Sequence, residues 1–385
     1  MRQALYNLEN IRPPLTGIGR YAVEIVRGGL DAGYPLSAMI GNQLLQGDSL
    51  REKLDLLLTK TSGNGSDFRK LIGHVPKSRD YYRWANIKRF EKLARAELDA
   101  GAVYHDLNYA PRTNSNGSVT TVYDVSHYLY PQTHPRHRVR YLERLFSILQ
   151  QGNQPIITIS NSVKAELEEH YQIPAERIVV TPLAADPSFR PRPEAEFSQL
   201  PELKRLKYKH YVLCVGTLEP RKNLHRVLDA YQALDDDLQQ QFPLVIAGSS
   251  GWKSAQLERQ IASMEQQGKL IKFGFVSDRL LPSLYAGAKA FVFPSLYEGF
   301  GLPLLEAMQS GCPCITSGSG ALAELSAHHA LQVDPMQASE IETALKTLLE
   351  KDGTASEYAT LGLRRASDFS WEKTIEQTHA VYQMV

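Results

Sequence analysis

The feature that most constrains the fold is a series of short apolar runs separated by stretches in which apolar residues recur at helical spacing. These runs lie at Thr120–Tyr123, Ile156–Ser160, Tyr211–Val215, Leu244–Ala247, Ala290–Phe293 and Cys314–Thr316. Continuous apolar runs of this length are typical of parallel strands that are buried on both faces. Because the strands alternate with helices, we predict an α/β fold in which mostly parallel sheets carry helices on both faces.

The chain is too long to form a single hydrophobic core. Its 385 residues predict two domains of about 150 to 200 residues each. The interval 186–201 carries four prolines, so we expect neither a helix nor a central strand to run through it. We therefore predict an N-terminal domain at 1–190, a linker at 191–207, a C-terminal domain at 208–368 and a final helix at 369–385, with Ser370 as its N-cap.

Composition narrows the class of protein. The 43 basic and 42 acidic residues give a formal charge of +1, which argues against a protein devoted to binding nucleic acid. Cys214, Cys312 and Cys314 lie in apolar stretches, a pattern that favours buried, reduced thiols over disulfides or a metal site. The sequence has neither an apolar run of 18 residues nor a signal peptide after Met1, so we expect a soluble, cytoplasmic protein.

Basic residues follow the predicted strand that ends at Val215. The segment 216–224 reads GTLEPRKNL and leads into a predicted helix, with Arg221 and Lys222 near its start. In open α/β sheets ligands bind beyond the carboxyl ends of the strands, where helix N-termini attract phosphate. Two cations at this point can hold a diphosphate without magnesium. A solvated basic pair at a turn is the alternative interpretation of this motif alone.

Glycines and glutamates follow the predicted strand that ends at Phe293. Gly299 and Gly301 would let the backbone approach a ligand closely, and the helix start beyond them offers amide donors. Glu298 can accept hydrogen bonds from sugar hydroxyls, and Glu306 lies two turns further along. A glycine turn beside a surface glutamate is the alternative, but it accounts less well for all these features after one strand.

The spacing of Glu298 and Glu306, with seven residues between them and YEGFGLP around the first, resembles the signature of retaining glycosyltransferase family four. That family has the GT-B fold, in which two Rossmann-like α/β domains face each other across a cleft. The resemblance implies that Glu298 and the following amides hold the donor sugar, that Glu306 binds the ribose, and that Lys222, with Arg221 beside it, binds the diphosphate. It implies a donor site formed by Gly17, Gly19, Thr217, Arg221, Lys222, Glu298, Gly299, Phe300, Gly301, Leu302 and Glu306.

Two of these assignments need comment. Thr217 stands where many family members carry a further arginine, which changes the division of phosphate contacts. Gly17 and Gly19 resemble the family's first glycine loop, which faces the donor phosphates and the acceptor. With Ala22 they also match a dinucleotide-binding pattern, but no acidic residue ends the strand predicted near 36–40, which argues against an NAD-dependent dehydrogenase.

The segments 121–126 and 130–135 resemble a subgroup of bacterial mannosyltransferases from lipopolysaccharide and capsule biosynthesis. That subgroup usually has a His-Asp pair at the strand end, where this chain has Tyr123 and Asp124. The resemblance makes Asp124 a catalytic candidate beside Glu298, Lys222 and Arg221, as an electrostatic or acceptor-side contact, and an ordinary cap at the strand end is the alternative for Asp124. Tyr123, His105 and His127 are candidates for the sugar or acceptor contact that the missing histidine would supply, and a structural role is the alternative for each histidine.

The resemblance spans the chain from the first glycine loop to the final helix, which it expects to pack back on the N-terminal, acceptor-side domain. It implies retaining transfer of a hexose, with GDP-mannose as the favoured donor, to a glycan or lipid-linked glycan of a bacterial surface polysaccharide. No cofactor or metal is expected, because the cations and helix-start amides replace the metal. The Asp-X-Asp spelling at 235–237 lies in a polar stretch that favours a solvated face.

A UDP- or dTDP-sugar glycosyltransferase of the same fold and a nucleotide-sugar epimerase are the alternative functions. Nothing in the sequence indicates the lysine-bound pyridoxal phosphate that an α-glucan phosphorylase needs, and the presence of Lys222, Glu298 and Glu306 argues against a catalytically silent binding module. The segment 69–95 interleaves basic and aromatic residues, so it is a candidate for peripheral contact with the inner membrane or a lipid-linked glycan. A solvated helix face is the equal alternative for that segment.

Overall fold

The computed structural model of the chain describes residues 1–8, 11, 15, 17–41, 43–59, 88–109, 117–249, 251 and 255–385. The strands of these residues form two sheets. The first sheet has seven strands in the order β3-β2-β1-β4-β5-β6-β7, and the second has six in the order β10-β9-β8-β11-β12-β13. Neighbouring strands are parallel except β2 and β3, which are antiparallel. The predicted α/β fold is confirmed.

The first sheet and its helices make up what we call the N-terminal half. Its strands are β1 Ala4–Asn7, β2 Leu36–Ile40, β3 Gln43–Gln46, β4 Val103–Asp106, β5 Ser118–Val122, β6 Ile156–Thr158 and β7 Ile178–Val180. Its helices are α1 Gly17–Asp31, α2 Gly47–Thr59, α3 Arg95–Asp99, α4 Ser126–Leu129, α5 Arg136–Gln151 and α6 Asn161–Tyr171. Residues 88–93 are also helical, and short 3-10 turns lie at Pro131–Thr133 and Ala175–Arg177.

The second sheet belongs to the C-terminal half. Its strands are β8 Val212–Val215, β9 Leu244–Ala247, β10 Leu270–Gly274, β11 Ala290–Phe293, β12 Cys314–Ser317 and β13 Leu331–Val333. The helices from here to the chain end are α7 Glu194–Ser198, α8 Leu224–Gln232, α9 Asp236–Gln241, α10 Ala255–Gln266, α11 Leu281–Gly287, α12 Leu302–Gln309, α13 Gly320–Ser326, α14 Ala338–Glu350, α15 Asp352–Ala366 and α16 Trp371–Val381. Short 3-10 turns lie at Pro201–Leu203, Pro220–Lys222 and Tyr382–Met384.

The interval between the two sheets corrects one expectation. We expected no helix in the proline-rich stretch 186–201, but α7 lies within it. Pro193 immediately precedes the helix, where a missing N–H removes no intrahelical hydrogen bond. The prolines therefore bound the helix instead of excluding it.

The last helix leaves the C-terminal half and packs on the N-terminal half. Ser370 is its N-cap, as predicted, because its side chain accepts a hydrogen bond from the Lys373 amide at 3.3 Å. Beyond the helix, the Tyr382 hydroxyl bonds to the Tyr6 hydroxyl at 2.8 Å and to His105 Nδ1 at 2.7 Å. All three side chains are buried, so the chain end is held in the core of the first sheet.

Two side-chain predictions can also be compared with the structure. Cys214, Cys312 and Cys314 are buried free thiols. The basic and aromatic segment 69–95 lies outside the described residues up to position 87, and in the remainder Phe90 is buried against the ring of Tyr104 instead of facing solvent. Within the parts of the chain that the structure describes, no helix combines the length and apolar character needed to span a membrane.

Candidate active site

The loop after β8 is shaped by backbone conformations that few residues adopt. Gly216 has φ +146°, and Asn223 takes the left-handed conformation, with φ 58°, at the start of α8. The Asn223 side-chain amide donates to the Pro294 carbonyl at 3.0 Å and to the Pro335 carbonyl at 2.6 Å. These bonds fasten the loop to the segment that follows β11, the neighbour of β8 in the sheet.

This attachment brings the predicted cations onto the predicted glutamate. Lys222 Nζ donates to Glu298 Oε1 at 2.7 Å, and Arg221 Nη1 donates to Glu298 Oε2 at 2.9 Å. The other arm of Arg221 donates to Glu219 Oε1 at 2.7 Å. We call Glu219, Arg221, Lys222 and Glu298 the charged cluster. Its side chains are between 5% and 16% exposed, so solvent screens these pairs only weakly.

The charged cluster fixes the ionisation of its members. Burial acts to raise the pKa of Glu298, but Arg221 and Lys222 outweigh burial and hold that pKa at about 2. Burial acts to lower the pKa of Arg221, while the carboxylates of Glu298 and Glu219 raise it above its usual value. Glu298 is therefore a permanent carboxylate at neutral pH, with both of its oxygens engaged by cations.

The loop after β11 lies against the N-terminal half. A Cβ at Gly299 would stand 1.8 Å from the Tyr123 carbonyl oxygen, so only glycine fits there. Ser160 Oγ donates to the Gly299 carbonyl at 2.7 Å. Gly301 has φ +106° and is the N-cap of α12. The side chain of Phe300 is buried against Phe369, and Leu302 is the first residue of the helix.

Tyr297 links the two halves beside the charged cluster. Its hydroxyl donates to Glu166 Oε2 at 2.6 Å and accepts from the Val125 amide at 3.0 Å. A cavity of about 350 Å³ opens here, and residues of both halves line it. Its lining includes Tyr130, Glu166, Ser295, Tyr297, Glu298 and Gly320. No sequence motif indicates Glu166, which is one of several glutamates on the helix α6.

Asp124 follows β5 and is half-buried. Its Oδ1 accepts from the Ser126 amide at 3.0 Å and from Ser126 Oγ at 2.7 Å, and Ser126 Oγ also bonds to His134 Nε2 at 2.9 Å. The charge of Asp124 acts on the pKa of Arg221, after those of Glu298 and Glu219. Ser126 and His134 were not among the predicted site residues, although both lie in the segments that carry the subgroup resemblance.

The three predicted sugar or acceptor contacts lie in the core of the N-terminal half. His105 is fully buried between Tyr382 and Thr121, with both ring nitrogens bonded at 2.7 Å, and burial lowers its pKa to about 3. His127 bonds to the Tyr171 hydroxyl at 2.9 Å, and burial lowers its pKa to about 4. The Tyr123 hydroxyl donates to the Leu107 carbonyl at 2.7 Å. These contacts favour the structural alternative for His105 and His127, and they give Tyr123 a backbone partner.

Three further predicted donor-site residues are Gly17 and Gly19, at the start of α1, and Thr217, in the loop after β8. Gly17 opens α1 and Gly19 is buried within its first turn, so the predicted glycine loop is the beginning of a helix. Among the described residues, a Cβ at Gly17 would meet nothing within 4 Å. Thr217 is exposed in the loop after β8.

Glu306 is held away from the charged cluster, on α12. Its Oε2 accepts from the Tyr285 hydroxyl at 3.1 Å, and its Oε1 lies 4.0 Å from Arg20 Nη1 of the N-terminal half. Burial raises the pKa of Glu306 to about 7, against the lowering effect of Arg20 and Tyr285. Arg20 was quoted in the glycine-loop segment but not predicted as a site residue.

No described group of three or more His, Cys, Asp or Glu side chains is arranged to hold a metal ion. Asp235 and Asp236, from the Asp-X-Asp spelling, instead pair with Lys346 at 3.5 Å and Lys269 at 2.9 Å, and both aspartates are largely exposed. This is the solvated face that the sequence favoured.

Comparison with known proteins relates this geometry to a family. The family described as "Glycosyl transferases group 1" matches residues 198–362, which include the charged cluster and Glu306. The O-antigen chain mannosyltransferase B of Escherichia coli is 32% identical over 384 residues, covering 99% of each chain. The serotype-specific mannosyltransferase WbdA of Escherichia coli is 31% identical over 249 residues, covering 62% of this chain and 30% of that protein.

Solved structures share the fold at low identity. WaaG, a glycosyltransferase involved in lipopolysaccharide biosynthesis, superimposes with a TM-score of 0.72 at 16% identity over 98% of each chain. A sucrose-phosphate synthase from Thermosynechococcus elongatus also gives 0.72, at 18% identity over 100% of this chain and 99% of that one. With the full-length relative and the two sheets, these findings establish that the chain is a glycosyltransferase of the group 1 family with the GT-B fold.

Proposed function

We propose that the protein transfers mannose from GDP-mannose to a hydroxyl of a glycan acceptor, with retention of the anomeric configuration. The observation that carries this proposal is the meeting of Arg221, Lys222 and Glu298 at the carboxyl edge of the second sheet. The choice of mannose is supported by the names of the relatives, among them the full-length O-antigen chain mannosyltransferase B.

The charged cluster would act by exchanging partners. A nucleoside diphosphate carries several negative charges, and it can accept the hydrogen bonds that Lys222 and Arg221 donate to Glu298 in this structure. Glu298 then becomes free to accept hydrogen bonds from hexose hydroxyls. Because its pairing with both cations holds the pKa of Glu298 at about 2, the side chain enters this exchange as a carboxylate.

Transfer requires the bond between the anomeric carbon and the diphosphate to break as negative charge grows on the leaving phosphate. Fixed cations in a site screened from water stabilise such charge without reorganising. In the retaining reaction the acceptor oxygen bonds to the same face of the anomeric carbon, and its proton passes to the departing diphosphate. No protein nucleophile is needed. Asp124, held by Ser126, would stabilise positive charge on the sugar from the acceptor side.

The other donor contacts follow from the resemblance and the placement of their residues. The amides at the start of α12, from Gly299 to Leu302, would face the sugar or phosphate, and Glu306 on the same helix would accept from the ribose hydroxyls. We place the acceptor against the N-terminal half. We further propose a lipid-linked glycan acceptor and a site of action at the cytoplasmic face of the membrane, in line with the O-antigen names of the relatives.

The experiment is a panel of GDP-, UDP-, ADP- and dTDP-linked hexoses, tested by thermal shift and by release of nucleoside diphosphate, each with and without EDTA. We expect GDP-mannose to raise the Tm and to be turned over equally in EDTA, because a ligand that binds only the folded protein stabilises it. Turnover of a UDP- or dTDP-sugar alone would contradict the donor assignment. Loss of turnover in EDTA would contradict the role of the cations, and conversion of the donor to an isomer would indicate an epimerase.

A further inference from the structure

We propose that Arg20 is a positioning residue for the nucleoside half of the donor, reaching from the N-terminal half to hold Glu306 as a charged acceptor for the ribose. This inference rests on the proposed function, in which Glu306 receives the ribose hydroxyls. It adds a residue of the opposite half to the donor site, and it predicts how donor affinity responds to pH.

The geometry shows one guanidinium bridging two carboxylates of the C-terminal half. Arg20, in the first turn of α1, donates from Nη2 to Asp278 Oδ1 at 2.6 Å, while Nη1 lies 4.0 Å from Glu306 Oε1. The Asp278 side chain is 68% exposed, that of Arg20 is 20% exposed and that of Glu306 is 7% exposed. The bridge therefore runs from the surface to the interior across the boundary between the halves.

Asp278 gives Arg20 a fixed direction. It lies between β10 and α11, in a segment that does not contribute to the charged cluster. A short bond between a guanidinium and a carboxylate restricts the long arginine side chain, which otherwise has many rotamers. With one arm held by Asp278, the other arm is kept beside Glu306.

The charge of Arg20 affects the ionisation of Glu306, because burial and nearby carboxylates favour the protonated form of Glu306. Tyr285 on α11 donates to it, Arg20 on α1 faces it, and the charges of Asp278 and Asp186 oppose its ionisation. Burial has the largest effect and brings the pKa of Glu306 to about 7, so the carboxyl is partly protonated at neutral pH even beside Arg20. A carboxylate can accept from both ribose hydroxyls, whereas a protonated carboxyl has a hydrogen to donate and fewer sites to accept.

The test measures donor KM and kcat between pH 6 and 9, from nucleoside diphosphate release at saturating acceptor, for wild type, Arg20→Ala and Arg20→Lys. At pH 7 we expect Arg20→Ala to raise donor KM about fivefold or more, with kcat within about threefold of wild type, since losing one charge partner raises a buried carboxyl pKa by about one unit or more and so lowers the ionised fraction of Glu306 about fivefold. In a plot of 1/KM against pH, the acid limb, where donor affinity falls as Glu306 becomes protonated, moves to higher pH. Arg20→Lys keeps a charge and recovers part of the affinity.

Glu306→Gln removes the acid limb of the 1/KM profile. When Arg20→Ala is added to Glu306→Gln, donor KM changes by less than about twofold. Arg27→Ala is the matched control on the same helix, because Arg27 pairs with Asp55 at 3.8 Å in an exposed position. It leaves KM unchanged.

Distinct outcomes separate the two proposals. A wild-type protein that releases no nucleoside diphosphate from any donor overturns the proposed function and this inference together. An active wild type overturns this inference alone in either of two cases: Arg20→Ala retains wild-type donor KM, or Arg20→Ala raises KM equally in the Glu306→Gln background.

Discussion

Two glutamates of one loop and helix have opposite ionisation behaviour because of their neighbours. Glu298 contacts two cations, which hold its pKa at about 2, whereas Glu306 is buried near one cation, and its pKa rises to about 7. Their spacing in the sequence conveys nothing of this difference. Under the proposed function, Glu298 acts as a constant acceptor for the sugar, while Glu306 makes nucleoside binding sensitive to pH near neutrality.

At the same scale, we predict that Lys222→Gln lowers kcat about 100- to 1,000-fold, the range seen when one preorganised donor to a developing negative charge is removed. Glutamine lacks the charge and its side chain is one bond shorter, so it does not replace the lysine ammonium at the phosphate, while Arg221 still pairs with Glu298, so the protein stays folded. The measurement is steady-state release of nucleoside diphosphate. Lys269→Gln is the control, because Lys269 pairs with Asp236 on an exposed face. Turnover of Lys222→Gln within threefold of Lys269→Gln would contradict the assignment.

Residue-level prediction from the sequence succeeded or failed according to the range of the contact. The sequence predicts Lys222 and Glu298 in one site because each follows a strand and the resemblance gives both to the donor site, and the structure shows that β8 and β11 are neighbours in the sheet. The contact between Tyr297 and Glu166 joins residues of different halves, and no local pattern indicates it. A histidine on a strand suits both a core and a binding site, so only the structure could place His105 in the core.

At the scale of the elements, the loop after β11 depends on contact with the end of β5. Gly299 gives this contact because its backbone lies directly against the Tyr123 carbonyl. The glycine pattern predicted a close approach to a ligand, but the structure shows a close approach to the other half of the chain. The same residue therefore couples the donor loop to the position of Asp124.

We predict that Gly299→Ala lowers turnover at least about 10-fold and destabilises the protein by about 1–3 kcal/mol, the usual effect of overpacking a close contact. The new Cβ would overlap backbone atoms, which cannot move aside as a side chain can. Activity and thermal unfolding are measured against Gly353→Ala, whose Cβ meets nothing within 4 Å in α15. Wild-type turnover of Gly299→Ala would show that the loop does not need this contact.

Element prediction was accurate where the signal was local. The six apolar runs all became strands, and Ser370 caps the last helix as its sequence indicated. The proline-rich interval predicts no helix, but α7 forms within it, because a proline just before the first turn is compatible with a helix. The first glycine segment became the start of α1, since Gly17 and Gly19 have helical neighbours on their C-terminal side.

At the scale of the whole molecule, the chain end fastens the two halves together. The helix α16 follows the C-terminal half, and Tyr382 beyond it completes a buried hydrogen-bonded group with Tyr6 and His105. The family resemblance implied this crossing, but local sequence patterns alone do not. His105, considered at first as a sugar contact, is thus part of the packing between the last helix and the first sheet.

We predict that Tyr382→Phe destabilises the protein by about 1–3 kcal/mol, because it leaves the buried polar groups of Tyr6 and His105 each short of a partner. Turnover of the folded variant stays within about twofold of wild type, since the charged cluster is untouched. Urea unfolding measures the first effect and nucleoside diphosphate release the second. Tyr128→Phe, at a ring that is 50% exposed, is the control. Equal stability of the two variants would contradict the fastening role.

The most direct test of the central claim is a crystal structure of the protein with a non-transferable GDP-mannose analogue, prepared in EDTA. We expect phosphate oxygens within about 3 Å of Lys222 Nζ and of the Arg221 guanidinium, and Glu298 bonded to hydroxyls of the hexose. A diphosphate bound elsewhere, with Glu298 still paired to both cations, would contradict the account.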